Sequence, residues 1–312
     1  MPSLSFDKSK NGRAIAIVKG GDYDNEILYL HEEDVNGKKP KLELNSLNYS
    51  KELKPYKTSE RVKIINKLSE ALSKDVDVDS LVEDQPIKDL YRKIKGDSKK
   101  NTEITLPTDS HFELLPSSDT KRREVWYVAG ASGSGKSYIA REYAKYYQKL
   151  FPERSVYLIS KLTEDNTLDK IKPKRINVST LVSDYPEIEE FRDCLVIFDD
   201  IDCFTGNELK AVHQLIDDLA ITGRHTNTSM MFLTHYITNY KKTRLILNES
   251  THFVVYPQST SYHSLRYLLK THIGMEDDEI KHLRKLGRWV CVSKNYPQTL
   301  IASQTAKLLH QS

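Results

Sequence analysis

Short apolar runs separated by helical periodicities fill the chain from about residue 121 onward. Residues 125–129, 155–160, 194–198, 230–234 and 252–256 read as strands, and 194–198 is an unbroken apolar run of the kind buried on both faces. Between them, 136–150 forms an amphipathic helical pattern. A second helix carries Leu209, Val212, Leu215, Ile216 and Leu219 on one face and stops at Gly223. Alternating strands and helices predict an α/β fold, a mainly parallel sheet flanked by helices. Residues 289–293 and 299–302 predict a terminal hairpin around Asn295, Tyr296 and Pro297.

The first part of the chain has a different rhythm. Strand-like stretches 14–18 and 27–30 flank the turn signal Gly20, Gly21, Asp22, which predicts a hairpin. Ser59 is placed to cap a helix bearing Val62, Ile65, Leu68 and Leu72, and 87–94 predicts a second helix. Residues 96–120 are polar and read as a linker. The expected division is therefore a small N-terminal α+β lobe with its linker, 1–120, and a main domain, 121–312.

Composition adds bounds. With 312 residues, 38% hydrophobic and 29% charged, the chain can bury a core and is long for one domain. A formal net charge of +3 does not by itself announce nucleic acid. Cys194, Cys203 and Cys291 form no CxxC pair, which argues for a reducing compartment. No apolar run approaches a membrane span, and no long apolar stretch opens the chain.

The most specific chemistry lies in Gly130, Ala131, Ser132, Gly133, Ser134, Gly135, Lys136 and Ser137, which satisfy G-x-x-x-x-G-K-[ST] at every fixed position. Glycines let the backbone wrap phosphate oxygens, and the amides with the following helix N-terminus make an anion site. Lys136 reaches the β- and γ-phosphates, Ser137 is placed to ligate Mg²⁺, and Tyr138 completes the nucleotide-binding set. ATP and Mg²⁺ are the implied ligands. A glycine turn without a ligand is the bland alternative, but it needs neither Lys136 nor Ser137.

The strand 195–199 ends in Asp199 and Asp200. Downstream of a phosphate loop, Asp199 reads as the Mg²⁺ residue and Asp200 as the one that orients and polarises water; without that loop, such a pair would read as a turn initiator. Arg224, just past the helix at Gly223, suits a finger reaching a neighbouring subunit's γ-phosphate, or simply a helix-terminus charge. His235 follows strand 230–234 as a γ-phosphate sensor or as a structural histidine. Lys241, Lys242, Arg244, Lys281, Arg284, Lys285 and Arg288 are candidate phosphate contacts for DNA, or solvated faces.

Together, GASGSGKS, CLVIFDDID, TGRHTNTSMMFLTH and NYKKTRLILNESTHFVVYP resemble the genome-packaging ATPases of large nucleocytoplasmic DNA viruses and their virophages, poxvirus-type members of the FtsK-HerA group. The resemblance spans residues 125–257. It implies an additional-strand, RecA-like P-loop NTPase fold with a strand inserted beside the P-loop strand. It further implies ATP hydrolysis coupled to translocation of double-stranded DNA into a capsid, by a pentameric or hexameric ring working with capsid or portal-type proteins. The implied setting is host cytoplasm at virion assembly sites, or the virion itself. Lys136, Asp200, Arg224 and His235 take the catalytic roles in that resemblance. The chain departs from it in having Asp200 where wider relatives have glutamate, and His235 where glutamine is frequent. A nucleotide kinase and a nucleotide-switched interaction protein are the competing classes; the absence of an arginine-rich lid weighs against the kinase.

Overall fold

A computed structural model of the chain describes residues 2–6, 12–32, 50–73, 76–81, 83–100, 102–237 and 240–309. They divide into two compact units, Met1–Arg13 with Tyr29–Ile104, and Ala14–Leu28 with Thr105–Ser312.

The larger unit is built on β1 (Val125–Ala129), α1 (Lys136–Leu150), β2 (Val156–Ser160), β3 (Leu195–Asp199), α2 (Gly206–Thr222), β4 (Ser229–Thr234), α3 (Tyr240–Glu249) and β5 (His252–Val255). The strands lie in the order β5-β1-β4-β3-β2, each neighbouring pair parallel. With β4 between β1 and β3, this is the additional-strand P-loop arrangement, and the chain has that α/β fold. Every residue of β1, β3, β4 and β5 is buried. Uniform burial is what a parallel sheet covered on both faces requires, and it explains why these strands are continuous apolar runs rather than alternating ones. Phe198 of β3 stacks on Phe232 of β4 at 5.0 Å between centroids. Val212, Leu215, Ile216 and Leu219 of α2 are fully buried in the same core, as their spacing predicts.

Beyond β5, the helices α4 (Tyr262–Leu268) and α5 (Asp277–Leu283) precede an antiparallel extension, β6 (Val290–Ser293), β7 (Thr299–Ala302) and β8 (Thr305–Leu308). The expected terminal hairpin is β6–β7. Strand β8 has no sequence signature, because Thr305 and Lys307 interrupt any apolar run.

The predicted linker is not a linker. A helix runs Gln85–Lys100, and residues His111–Leu114 form a strand antiparallel to Ala16–Lys19. Leu106 N–H donates to Gln304 O at 2.8 Å and Phe112 N–H to Ser303 O at 2.7 Å, so this stretch is stitched to the turn between β7 and β8. Residues 105–120 thus belong to the larger unit, as do residues 14–28. The expected N-terminal hairpin forms, with Val18 N–H donating to Glu26 O and Asn25 N–H to Val18 O, both 2.9 Å.

In the smaller unit, strand Ser3–Ser5 pairs antiparallel with Tyr29–His31. Helices Thr58–Ser73 and Gln85–Lys100 enclose a core of Leu53, Leu68, Ala71, Ile87, Leu90, Tyr91 and Ile94. Val62 does not join it and is 58% exposed, because Ile64 and Ile65 turn the apolar stripe away from it. Ser59 lies inside the first helix rather than capping it, and Glu60 instead accepts the Lys57 N–H at 3.0 Å. The Leu72 side chain lies outside the described ones. Among the described residues no helix is long and apolar enough to cross a membrane.

Candidate functional site

Because β1 to β5 are parallel, their carboxyl ends share one edge, and the loops leaving that edge converge. The loop 130–137 leaves β1 and enters α1. Its first amide, Gly130 N–H, donates to Thr234 O at 3.0 Å, tying the loop to the end of β4. A Cβ at Gly130 would stand 2.5 Å from the Tyr256 ring and 2.8 Å from Ser134 Oγ, so only glycine fits. Gly135 caps α1 with φ of +112°, a conformation other residues adopt only under strain. Gly130→Ala is expected to destabilise the chain by about 1–3 kcal/mol through overpacking, measured as a lower midpoint of denaturant unfolding.

Lys136 is buried, and its Nζ donates to Gly130 O at 2.9 Å and Ala131 O at 3.2 Å. Burial lowers its pKa, while the carboxylates of Asp200 and Asp199 pull the other way. Asp199 ends β3 and is buried. Burial, then the neighbouring charges of Asp200 and Asp165, push its carboxyl up to about 7, against the pull of Lys136 and the Ser160 hydroxyl. Asp200 follows in the left-handed region with φ of +48°, which turns its carboxylate away from the line of the strand. His235 leaves β4 beside it. Its Nε2 stands 2.8 Å from Asp200 Oδ1, a charge-pair distance at which that oxygen still has no hydrogen-bond partner among the described residues, and its Nδ1 lies 3.5 Å from Lys136 Nζ. The two candidate roles of Asp199 and Asp200 are thus physically separated: one buried at the strand end, one paired to histidine in the loop.

Ser132, Gly133, Gly135, Lys136, Ser137, Tyr138, Asp165, Thr167, Asp199, Asp200 and His235 line a single cleft of roughly 270 Å³. The donor set suits Mg²⁺. Ser137 offers a hydroxyl and Asp199 a carboxylate, hard oxygens both, and they line the same cleft as Asp165 and Asp200. Among the described residues no group of three or more His, Cys, Asp or Glu is placed to hold a metal ion.

Of the catalytic candidates, Lys136, Asp200 and His235 line the cleft and Arg224 does not; Gly130, Ala131 and Ser134 belong to the loop without lining it. Helix α2 has 17 residues and carries the chain back roughly 25 Å to the amino edge of the sheet. There Arg224 is exposed beside Arg123, whose guanidinium caps α2 through Leu219 O and Ala220 O and whose pKa is lowered by burial and, to a lesser degree, by the Arg224 charge, against the pull of Glu249. The basic residues also separate. Lys281 pairs with Asp278 at 2.9 Å, Arg284 lies over the Tyr262 ring, and Arg288 binds the phosphate loop itself. Arg244 and Lys285 are exposed, and the side chains of Lys241 and Lys242 lie outside the described ones.

Sequence reading missed Asp165, Thr167 and Tyr256, and it named Arg288 only as a candidate DNA contact, not as a partner of the phosphate loop. Asp165 follows the end of β2 by five residues, and its Oδ1 accepts the Thr167 and Leu168 amides, each at 2.7 Å. An Asp two and three residues before backbone donors is an ordinary turn signal, and only the sheet order puts this one opposite Asp199.

No family model matches the chain. In sequence it is 33% identical over 226 residues to the uncharacterized protein V3 of Sputnik virophage, spanning 71% of this chain and 90% of that protein. Among solved structures, the genome packaging NTPase B204 from Sulfolobus turreted icosahedral virus 2, in complex with sulfate, aligns over 61% of this chain and 98% of its own, with 14% identity and a TM-score of 0.40. The monomer form of the pCW3 conjugation coupling protein TcpA with ATPγS aligns over 67% of this chain and 66% of its own, also with 14% identity and a TM-score of 0.40. Strand order and the glycine loop, rather than these distant likenesses, define the fold.

Proposed function

The chain belongs to the family of the Sputnik virophage protein V3, and we propose that it is an ATP-hydrolysing translocase that drives a double-stranded DNA genome into a capsid. The observation that carries the ATPase part is the meeting of Lys136, Ser137, Asp199, Asp200 and His235 on one cleft at the carboxyl edge of the sheet. The translocase part leans on the motif resemblance drawn from residues 125–257.

Each residue has a distinct task. Amides of the loop and the start of α1 give a concave anion site, and Lys136 adds a mobile charge to it. Ser137 and Asp199 would hold Mg²⁺, which when bound neutralises phosphoryl oxygens as charge moves between them. Asp200 orients a water molecule and accepts its proton. His235 stands between the Asp200 carboxylate and the Lys136 ammonium group, 2.8 Å from one and 3.5 Å from the other. Tyr138, 48% exposed at the mouth of the cleft, offers its ring to the nucleoside.

Arg224 lies at the edge opposite its own cleft and is proposed to serve the cleft of a neighbouring copy in a homo-oligomeric ring. Capsid or portal-type proteins, and virion assembly sites in host cytoplasm, complete the proposed setting.

The test is a titration of ATPase rate with duplex DNA, with particle size measured in parallel. Hydrolysis is expected to rise several-fold on adding duplex, and the stimulation to weaken steeply as salt displaces phosphate contacts. The products are ADP and phosphate, with no phosphorylated nucleoside. Identical rates with and without duplex in an assembled sample would overturn the translocase while leaving the ATPase standing.

A further inference from the structure

We infer that Arg288 is a positioning residue of the phosphate loop, one that aims the loop's amides at a triphosphate without touching it; the inference rests on the ATP-binding reading above. Arg288 stands just before β6, and because β6 is antiparallel to β5 its entry lies at the same edge as the loop. Its Nε donates to Ser134 O at 2.9 Å and its Nη2 to Gly133 O at 2.8 Å. Two consecutive carbonyls at the tip of the loop are thereby held by one planar fork.

The consequence follows from the peptide unit. In a trans, planar peptide the C=O and N–H point in opposite directions, so fixing a carbonyl fixes the amide behind it. Holding Ser134 O on the Arg288 side turns Gly135 N–H to the other side. Holding Gly133 O does the same for Ser134 N–H, which meets Ala131 O at 3.2 Å in the loop's internal turn.

Without an anchor this tip has little to hold it. Gly133 and Gly135 have φ of +71° and +112°, and glycine rotates out of such conformations at small steric cost. Tyr256 packs tightly at Gly130 and loosely beside Gly135, and its buried hydroxyl has no hydrogen-bond partner among the described residues, so it makes no polar tie to the tip. Lys136 Nζ reaches Gly130 O and Ala131 O, near the loop's start. Among the described residues the side-chain hydrogen bonds to the tip come from Arg288. Gly287, with φ of +132°, sets the backbone path from which the guanidinium approaches.

A residue that aims the loop lowers the cost of ordering it when nucleotide binds, so its loss should appear in affinity rather than in turnover. The experiment uses the full chain, with Mg-ATP as ligand in calorimetry and steady-state kinetics, and a short duplex binding assay at two salt concentrations. Arg288→Ala is expected to raise Kd and KM for Mg-ATP about tenfold with kcat within about twofold, and to leave duplex affinity and its salt dependence unchanged. Arg288→Lys, which keeps the charge but not the fork, should recover only part of that loss. Thermal melting of both variants checks the fold; if Arg288→Ala fails to fold, the lysine variant carries the test by the same KM-against-kcat split.

Wild-type affinity for Mg-ATP in a folded Arg288→Ala, or in Arg288→Lys where the alanine variant does not fold, overturns the inference alone. So does a variant whose defect lies in duplex affinity and salt slope, which would make Arg288 a DNA contact. A wild-type chain that binds no Mg-ATP overturns the ATP reading, and this inference with it.

Discussion

Replacing Lys136 with alanine is expected to weaken Mg-ATP binding by about 100-fold or more, equivalent to about 2.7 kcal/mol, and to abolish measurable hydrolysis. The size follows from where the ammonium group sits. It is buried, burial depresses its pKa, and only backbone carbonyls, a histidine ring and the Asp199–Asp200 pair offset that cost. A desolvated cation of this kind interacts with a phosphate far more strongly than a hydrated one, and hydrogen bonds between ionised partners are about twice as strong as neutral ones. The same reasoning predicts little damage to the fold, since alanine removes a charge the protein holds at a desolvation cost. Calorimetry with Mg-ATP and thermal melting of the variant separate the two effects. Unweakened binding in a folded Lys136→Ala protein would refute the phosphate-loop reading.

Asp200→Asn should behave differently, with turnover lower by about 10³-fold and Mg-ATP affinity within about threefold of wild type. Asparagine is nearly isosteric and tolerates the left-handed φ of +48° at this position. Its amide oxygen keeps the place of Asp200 Oδ1, 2.8 Å from His235 Nε2. What it cannot do is take a proton from water. Single-turnover kinetics under saturating nucleotide measure the effect directly. Normal turnover would remove Asp200 from the chemistry and turn attention to Asp165, the other partly exposed carboxylate on the cleft. A nucleotide-switched binding protein would be indifferent to Asp200→Asn in its partner interaction, whereas a motor would stop.

How far these residues could be read in advance depended on how local their signals are. The loop 130–137 and α1 after it appeared at their observed positions, because glycine φ freedom, the lysine and the first helical turn are all set within a few residues. Apolar runs located β1 to β7 to within a residue or two, since burial on both faces leaves no alternation to misread. The polar stretch 96–120 misled for the converse reason. A half-exposed strand such as His111–Leu114 buries only Phe112 and Leu114, and over four residues that alternation is too short to stand out from a loop. Ser59 misled similarly, because a capping residue type says where a helix can begin and not which of several candidates wins.

Arg224 and Arg288 show the other limit. Both are arginines beside a glycine in polar surroundings, and locally nothing distinguishes them. In the fold, one lies at the edge of the sheet away from the cleft, and the other grips a loop 154 residues earlier in the chain. The sequence by itself determined the phosphate loop, the acidic strand end, the α/β class and most element positions, because these rest on φ freedom, residue chemistry and periodicity over short windows. Only the tertiary structure decided the order β5-β1-β4-β3-β2, the pairing of His235 with Asp200, the entry of Asp165 into the cleft and the partner of Arg288. Each of those depends on which distant segments bury their apolar faces together, and the free energy of that choice is spread over the whole core rather than written in any one stretch of chain.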